Sequence, residues 1–189
     1  MRRLIFQEYV TLDGYAADPD GGLEFFETIA GDTDDDNLAL LENVDTMLLG
    51  AATYRLFVQF WPTDASAEEA IAPKLNALHL VVVSTTLASA PWGDYEPGMV
   101  VRDVDAVRAL KAEQDGKDII LWGSITLFHS LLQAGLVDEV QLRICPVLLG
   151  EGKSAFPNGV SPVNLELIEA RPWAKGGVLV RYQPANRSR

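Results

Sequence analysis

Ile119 to Gly152 reads IILWGSITLFHSLLQAGLVDEVQLRICPVLLGEG, a stretch that predicts a strand, a glycine turn, a helix and a second strand in unbroken succession. The run IILW suits a strand buried on both faces, because it lacks polar alternation. Gly123 lets the backbone turn sharply, and Ser124 is placed to cap a helix whose apolar side carries Leu127, Phe128, Leu131 and Leu132. Val137 to Ile144 supplies the second strand. Backbone N–H groups at such a strand-to-helix turn favour an anion. A Gly-Ser pair is also ordinary turn chemistry, and neither GxGxxG nor GxxxxGK[ST] is present. The unit therefore permits phosphate binding without specifying it.

The same grammar recurs along the chain. Arg3 to Thr11 alternates as a first strand and is broken by LDGYAADPDGG, whose glycines, proline and carboxylates favour turns. Asp32 to Glu42 predicts a short helix, and DTMLLG (Asp45 to Gly50) a strand running straight into the helix AATYRLF. Ala65 to Ala77 reads as helix, and Leu78 to Val83 as a buried strand followed by Ser84, Thr85 and Thr86. A connection containing Pro and Gly leads to a helix over Val104 to Ala112. Leu165 to Arg171 and Gly177 to Tyr182, joined through RPWAKGG, close as an antiparallel pair. The expected class is α/β, with a mostly parallel central sheet flanked by helices and antiparallel strands at the C-terminal edge. In such sheets ligands gather at the carboxyl ends of strands, where LDGYAADPDGG, LGAATY, VSTTL and WGSIT all fall.

Composition narrows the function. A chain of 189 residues, 48% hydrophobic, suits one domain with its core between about Leu4 and Tyr182. A net charge of −12 argues against a nucleic-acid partner, which needs a basic footprint. No apolar run approaches bilayer length and the N-terminus has no continuous apolar segment, so a cytoplasmic protein without a membrane partner is expected. Cys145, the single cysteine, sits in RICPVLL as a small buried hydrophobe, and His79 and His129 lack the second donor a metal site requires.

Taken in order, VTLDGYAADPDGG, DTMLLGAATY, WP, VVVSTTL and LWGSITLFHSLLQAGLVDEVQLRICPVLLGEGKSAF resemble the dihydrofolate-reductase-like superfamily. Within it the chain is most similar to the C-terminal reductase domain of the bifunctional riboflavin-biosynthesis deaminase/reductase and its stand-alone relatives. The resemblance implies a dihydrofolate-reductase-like fold and a nicotinamide cofactor, NADPH before NADH, that passes hydride to a small heterocyclic substrate, pterin- or ribosylaminopyrimidine-like. It places Gly50, Ala51 and Thr53 at the cofactor's phosphates, Ser84 and Thr85 near the adenosine ribose, and Gly123, Ser124, Ile125 and Thr126 at the pyrophosphate turn. Ala51 departs from the pattern, since relatives commonly carry Arg there, and Thr85 stands where another basic residue is often found. Weakened NADPH binding, use of NADH, or a non-catalytic ligand-binding protein that keeps the fold are the corresponding expectations.

Hydride transfer needs few side chains, because positioning supplies most of the acceleration. Asp13, at the corner where the first strand opens into its loop, and Asp36, on the acidic helix that follows, are the candidate catalytic carboxylates. Gly14 and Trp61 are candidate substrate contacts. The plain alternatives are that Asp13-Gly14 only makes a turn, that the Asp34-Asp35-Asp36 run is a hydrated helix start, and that Trp61 packs beside Phe60. Asp138 and Glu139 read as strand-start residues at a surface or subunit contact. Homodimerisation is expected through the VDEVQLRI strand and the closing strands, whose apolar edges would otherwise be bare.

Overall fold

Leu4–Thr11 forms the first strand, β1, and its alternation sorts the core: Leu4, Phe6 and Val10 project to one face of the sheet, Ile5 and Tyr9 to the other. The computed structural model describes residues 1–156 and 161–185. After β1 come β2 (Tyr15–Ala17), a 3-10 turn (Glu24–Ile29), α1 (Asp34–Leu41), β3 (Val44–Gly50), α2 (Ala51–Phe57), α3 (Ala72–Asn76) and β4 (His79–Val83). The second half holds β5 (Ala90–Trp92), β6 (Tyr95–Val101), α4 (Val104–Ala112), β7 (Asp118–Trp122), α5 (Ile125–Gln133), β8 (Glu139–Cys145), β9 (Lys153–Ser154), β10 (Leu165–Pro172) and β11 (Val178–Pro184).

Nine strands make one sheet in the order β10-β11-β8-β1-β7-β3-β4-β6-β5. The pairs from β8 through β6 are parallel, and β10-β11, β11-β8 and β5-β6 are antiparallel. Helices on both faces explain the unbroken apolar runs. Ile120 and Trp122 of β7 join Met47, Leu49, Leu75 and Trp92 on one side, while Ile119 and Leu121 join Phe6, Val107, Phe128 and Leu131 on the other. Each such side chain contributes roughly 1.5–3 kcal/mol by leaving water.

Four expectations are corrected. The connection after Ser84 is not a plain loop but holds the β5-β6 hairpin, which turns on Gly93 at φ 56°. Pro91 and Pro97 obscured it, and they are tolerated because this pair lies at the sheet's outer edge. The helix over Ala65 to Ala77 shrinks to α3, because Thr63 and Ser66 bond to nearby backbone instead, Ser66 Oγ donating to the Trp61 carbonyl at 2.6 Å. Glu139 is not at the surface: it is 0% exposed and ion-paired with Arg3 and Arg181. Nor is β8 a bare edge, since β1 and β11 flank it and β10 is the outer strand on that side.

Candidate active-site crevice at the strand ends

The pairing of β1 with β7 stops at Gln7 and Trp122, while its pairing with β8 continues to Thr11 and Cys145. A gap in the strand pairing therefore lies beside β1 where β7 ends. Odd-numbered residues of β1 turn their backbone groups toward β7, as the bond from Ile119 N–H to the Arg3 carbonyl shows. Tyr9 N–H, beyond the last bridge, has no strand to meet and donates to the carboxyl of its own neighbour, Glu8 Oε1, at 3.0 Å.

Glu8 is half-buried there, with no ion pair among the described residues. Burial pushes its pKa up to about 8, against the smaller opposing pull of the Tyr9 N–H. At neutral pH this carboxyl is predominantly protonated. Its Oε2 would lie 3.7 Å from a Cβ added at Gly123, so it faces the turn between β7 and α5. A glutamate inside the apolar strand LIFQEYVT is the sequence signal that marks it, and the sequence reading passed over it.

Gly123 and Ser124 both take left-handed backbone, at φ 56° and 55°. Ser124 does not cap α5. Its Oγ instead accepts from Gly50 N–H at 2.8 Å, and its own N–H donates to Thr53 Oγ1 at 2.9 Å. The two strand-to-helix junctions are thus fastened to each other. A Cβ on Gly123 would stand 3.1 Å from Thr53 Cγ2, leaving room there only for bare backbone. The first-turn N–H groups of α5, those of Ile125 and Thr126 included, have no side-chain cap. A tight glycine cradle, uncapped helix N–H groups and a neutral carboxyl beside them suit the pyrophosphate of a dinucleotide.

The structure brings Gly50, Ala51, Thr53, Gly123, Ser124, Ile125 and Thr126 to these adjoining junctions. Ser84 follows β4 further along the same rim, where its Oγ accepts from Thr86 and Leu87 N–H at 3.2 and 3.0 Å. Thr85 beside it is exposed. Arg102 Nη1 donates to the Ser84 and Leu87 carbonyls, both at 2.8 Å, which holds a guanidinium against that loop.

The remaining candidates are engaged elsewhere. Asp13 accepts from Thr11 Oγ1 at 2.6 Å, Leu149 N–H at 3.2 Å and Gly150 N–H at 2.7 Å. The Thr11 hydroxyl leads in holding this carboxyl below its ordinary range, so Asp13 stays ionised and ties the β1 corner to the loop after β8. Gly14, at φ 87°, completes that corner. Asp36 receives two bonds from Arg171 Nη2, at 2.8 and 2.9 Å, and one from Trp173 Nε1 at 2.8 Å. Trp61 packs against Phe57 and Phe60, with its carbonyl accepting from Asn76 at 2.8 Å. None of these four shares a described hydrogen bond with the Gly50–Ser124 group.

Residues 2–179 match the family model of the RibD C-terminal domain, and the chain belongs to that family. The uncharacterised Bacillus subtilis (strain 168) protein YyaP is 30% identical over 187 residues, 96% of this chain and 94% of that one. A Shewanella sp. PV-4 protein assigned to riboflavin biosynthesis superposes with a TM-score of 0.80 at 23% identity, covering 97% of this chain and 99% of that one. Dihydrofolate reductase from Enterococcus faecalis, solved with NADP(H) and RAB-propyl, superposes with a TM-score of 0.65 at 15% identity over 97% of each chain. The fold is dihydrofolate-reductase-like, as the motif order implied.

Proposed function

We propose that this protein is a nicotinamide-dependent reductase acting on a small heterocyclic, pterin- or ribosylaminopyrimidine-like substrate, with NADPH as the favoured cofactor. The observation that carries this reading is the gap in strand pairing beside β1, where the Gly123 cradle adjoins the protonated carboxyl of Glu8. When bound, the nicotinamide supplies a hydride. The chain's own share is to hold it: Gly123 admits the pyrophosphate, α5 offers N–H donors, and Glu8 adds no negative charge while it keeps its proton. Tyr9 N–H, now closed by Glu8, is a backbone donor that a carboxamide oxygen would take over once Glu8 swings aside.

A second reading, a ligand-binding protein that keeps the fold without turnover, draws support from Ala51 and from the engagement of both Asp13 and Asp36. Titration of the fluorescence of the four tryptophans with NADPH and NADH, followed by oxidation assays with pterins and ribosylaminopyrimidines, separates the two. Binding with turnover supports the reductase, binding without turnover the alternative, and no binding of either nucleotide at millimolar concentration rejects these strand ends as a dinucleotide site.

A further inference from the structure

Among the described residues, Ser124 is the one non-glycine residue at positive φ, at 55° with ψ 44°. In that left-handed region Cβ crowds the backbone, so a residue other than glycine stays there only when its surroundings hold it. Gly123 beside it takes the same conformation at φ 56° without that strain. Serine at the N-cap of α5 ordinarily bonds to the helix it opens, and Ser124 makes no such bond.

What holds Ser124 is the neighbouring junction. Its Oγ accepts from Gly50 N–H at 2.8 Å and its N–H donates to Thr53 Oγ1 at 2.9 Å, so one residue of the β7–α5 turn is bound twice to the β3–α2 turn. The approach is close on both sides. A Cβ on Gly50 would lie 3.4 Å from Ser124 Cβ and Oγ, and one on Gly123 3.1 Å from Thr53 Cγ2. The pairing of β3 with β7 ends at Leu48 and Leu121, and each chain then enters its own helix. The two bonds of Ser124 carry the spacing of these strands past the last rung of their ladder. With its hydroxyl committed to Gly50, the first turn of α5 keeps its N–H groups free of any side-chain cap.

We propose that Ser124 is a positioning residue for the dinucleotide: its clasp sets the β3–α2 and β7–α5 junctions at one spacing before the pyrophosphate arrives. The inference rests on the dinucleotide reading above and adds to it a side chain that acts through the two junctions and not by touching the ligand. Such an action has a kinetic mark. When the receptive arrangement is populated for only part of the time, apparent affinity falls by that fraction and the loss appears in association, whereas a lost ligand contact appears in dissociation.

Ser124→Gly is the discriminating variant, because it removes the hydroxyl and relieves the left-handed strain together. Its melting temperature should therefore stay close to that of wild type. Stopped-flow mixing of the full chain with NADPH and with NADH, followed by tryptophan fluorescence, should show association slowed by about five- to twentyfold for both nucleotides, with dissociation little changed. Thr53→Val, which removes the acceptor of Ser124 N–H, should slow association likewise, and Thr53→Ser, which keeps the hydroxyl, should bind at the wild-type rate. Combining Ser124→Gly with Thr53→Val should cost less than the product of the two single effects, since both open one clasp. Should one variant fail to fold, the other carries the test. Unchanged association in the folded variants, a loss confined to dissociation, or a Thr53→Ser as slow as Thr53→Val overturns the positioning role and leaves the dinucleotide site standing. A wild type that binds neither nucleotide rejects the dinucleotide reading itself, and the clasp's role with it.

Discussion

A carboxyl that keeps its proton to about pH 8 leaves a signature in stability as well as in binding. Below pH 4.5 Glu8 is protonated in both the folded and the unfolded chain and contributes no difference. As pH rises through that point the unfolded chain releases the proton and the folded chain retains it, so stability falls until about pH 8 and then levels off. Each unit of separation is worth about 1.4 kcal/mol. Urea unfolding of Glu8→Gln should therefore match wild type near pH 4 and exceed it at pH 8; parallel curves for the two proteins would mean the carboxyl is ionised throughout. In the proposed complex the same proton separates Glu8 from an anionic dinucleotide, so affinity should decline above pH 8 in the wild type and stay level in Glu8→Gln. At Ala51, the first residue of α2, the missing arginine gives a second expectation. Ala51→Arg should tighten NADPH by about ten- to a hundredfold over NADH, since only NADPH carries the 2′-phosphate. An equal gain for both nucleotides would move the adenosine phosphate away from α2.

Among the elements, the β5-β6 hairpin depends on one residue. Gly93 has φ 56°, and a Cβ there would lie 2.5 Å from the Pro62 carbonyl oxygen. Gly93→Ala should cost about 1–3 kcal/mol by chemical denaturation, from left-handed strain with the clash added. A loss under half of that would show that the turn relaxes freely. This hairpin also marks the limit of what the sequence discloses. Where buried strands and amphipathic helices alternate, periodicity was enough: α4 occupies the Val104–Ala112 its pattern predicted, and α5, Ile125–Gln133, carries the Leu127, Phe128, Leu131 and Leu132 expected of it. Prolines hid the edge strands, although Gly93-Asp94 between Trp92 and Tyr95 is a two-residue hairpin signal in its own right. At the strand ends, glycine and hydroxyl residues announced the Gly50–Ser124 junctions. Their mutual bonding was beyond reach, because it couples residues separated by more than seventy positions. Glu8 escaped for a related reason: a charged residue in a strand acquires its meaning only from what surrounds it after folding.

At the scale of the whole molecule, the outer strand β10 leaves Leu165, Leu167 and Ile168 exposed along an edge that has no strand partner among the described residues. Homodimerisation through this edge, in place of β8, is expected to appear in light scattering as twice the chain mass, and Leu167→Lys should shift it to monomer. A monomer mass over a broad concentration range would dispose of the idea. The opposite extreme of accessibility is Cys145, which is 0% exposed in a cluster with Phe25, Ile29, Trp173 and Leu179. Burial raises its thiol pKa to about 11, so it is withdrawn from alkylating reagents both sterically and by protonation. Since the chain has no other thiol, every molecule that takes up label has opened at this corner. The rate of labelling in native buffer, divided by the rate in denaturant, thus becomes a stopwatch for local opening, readable by mass spectrometry without any introduced probe.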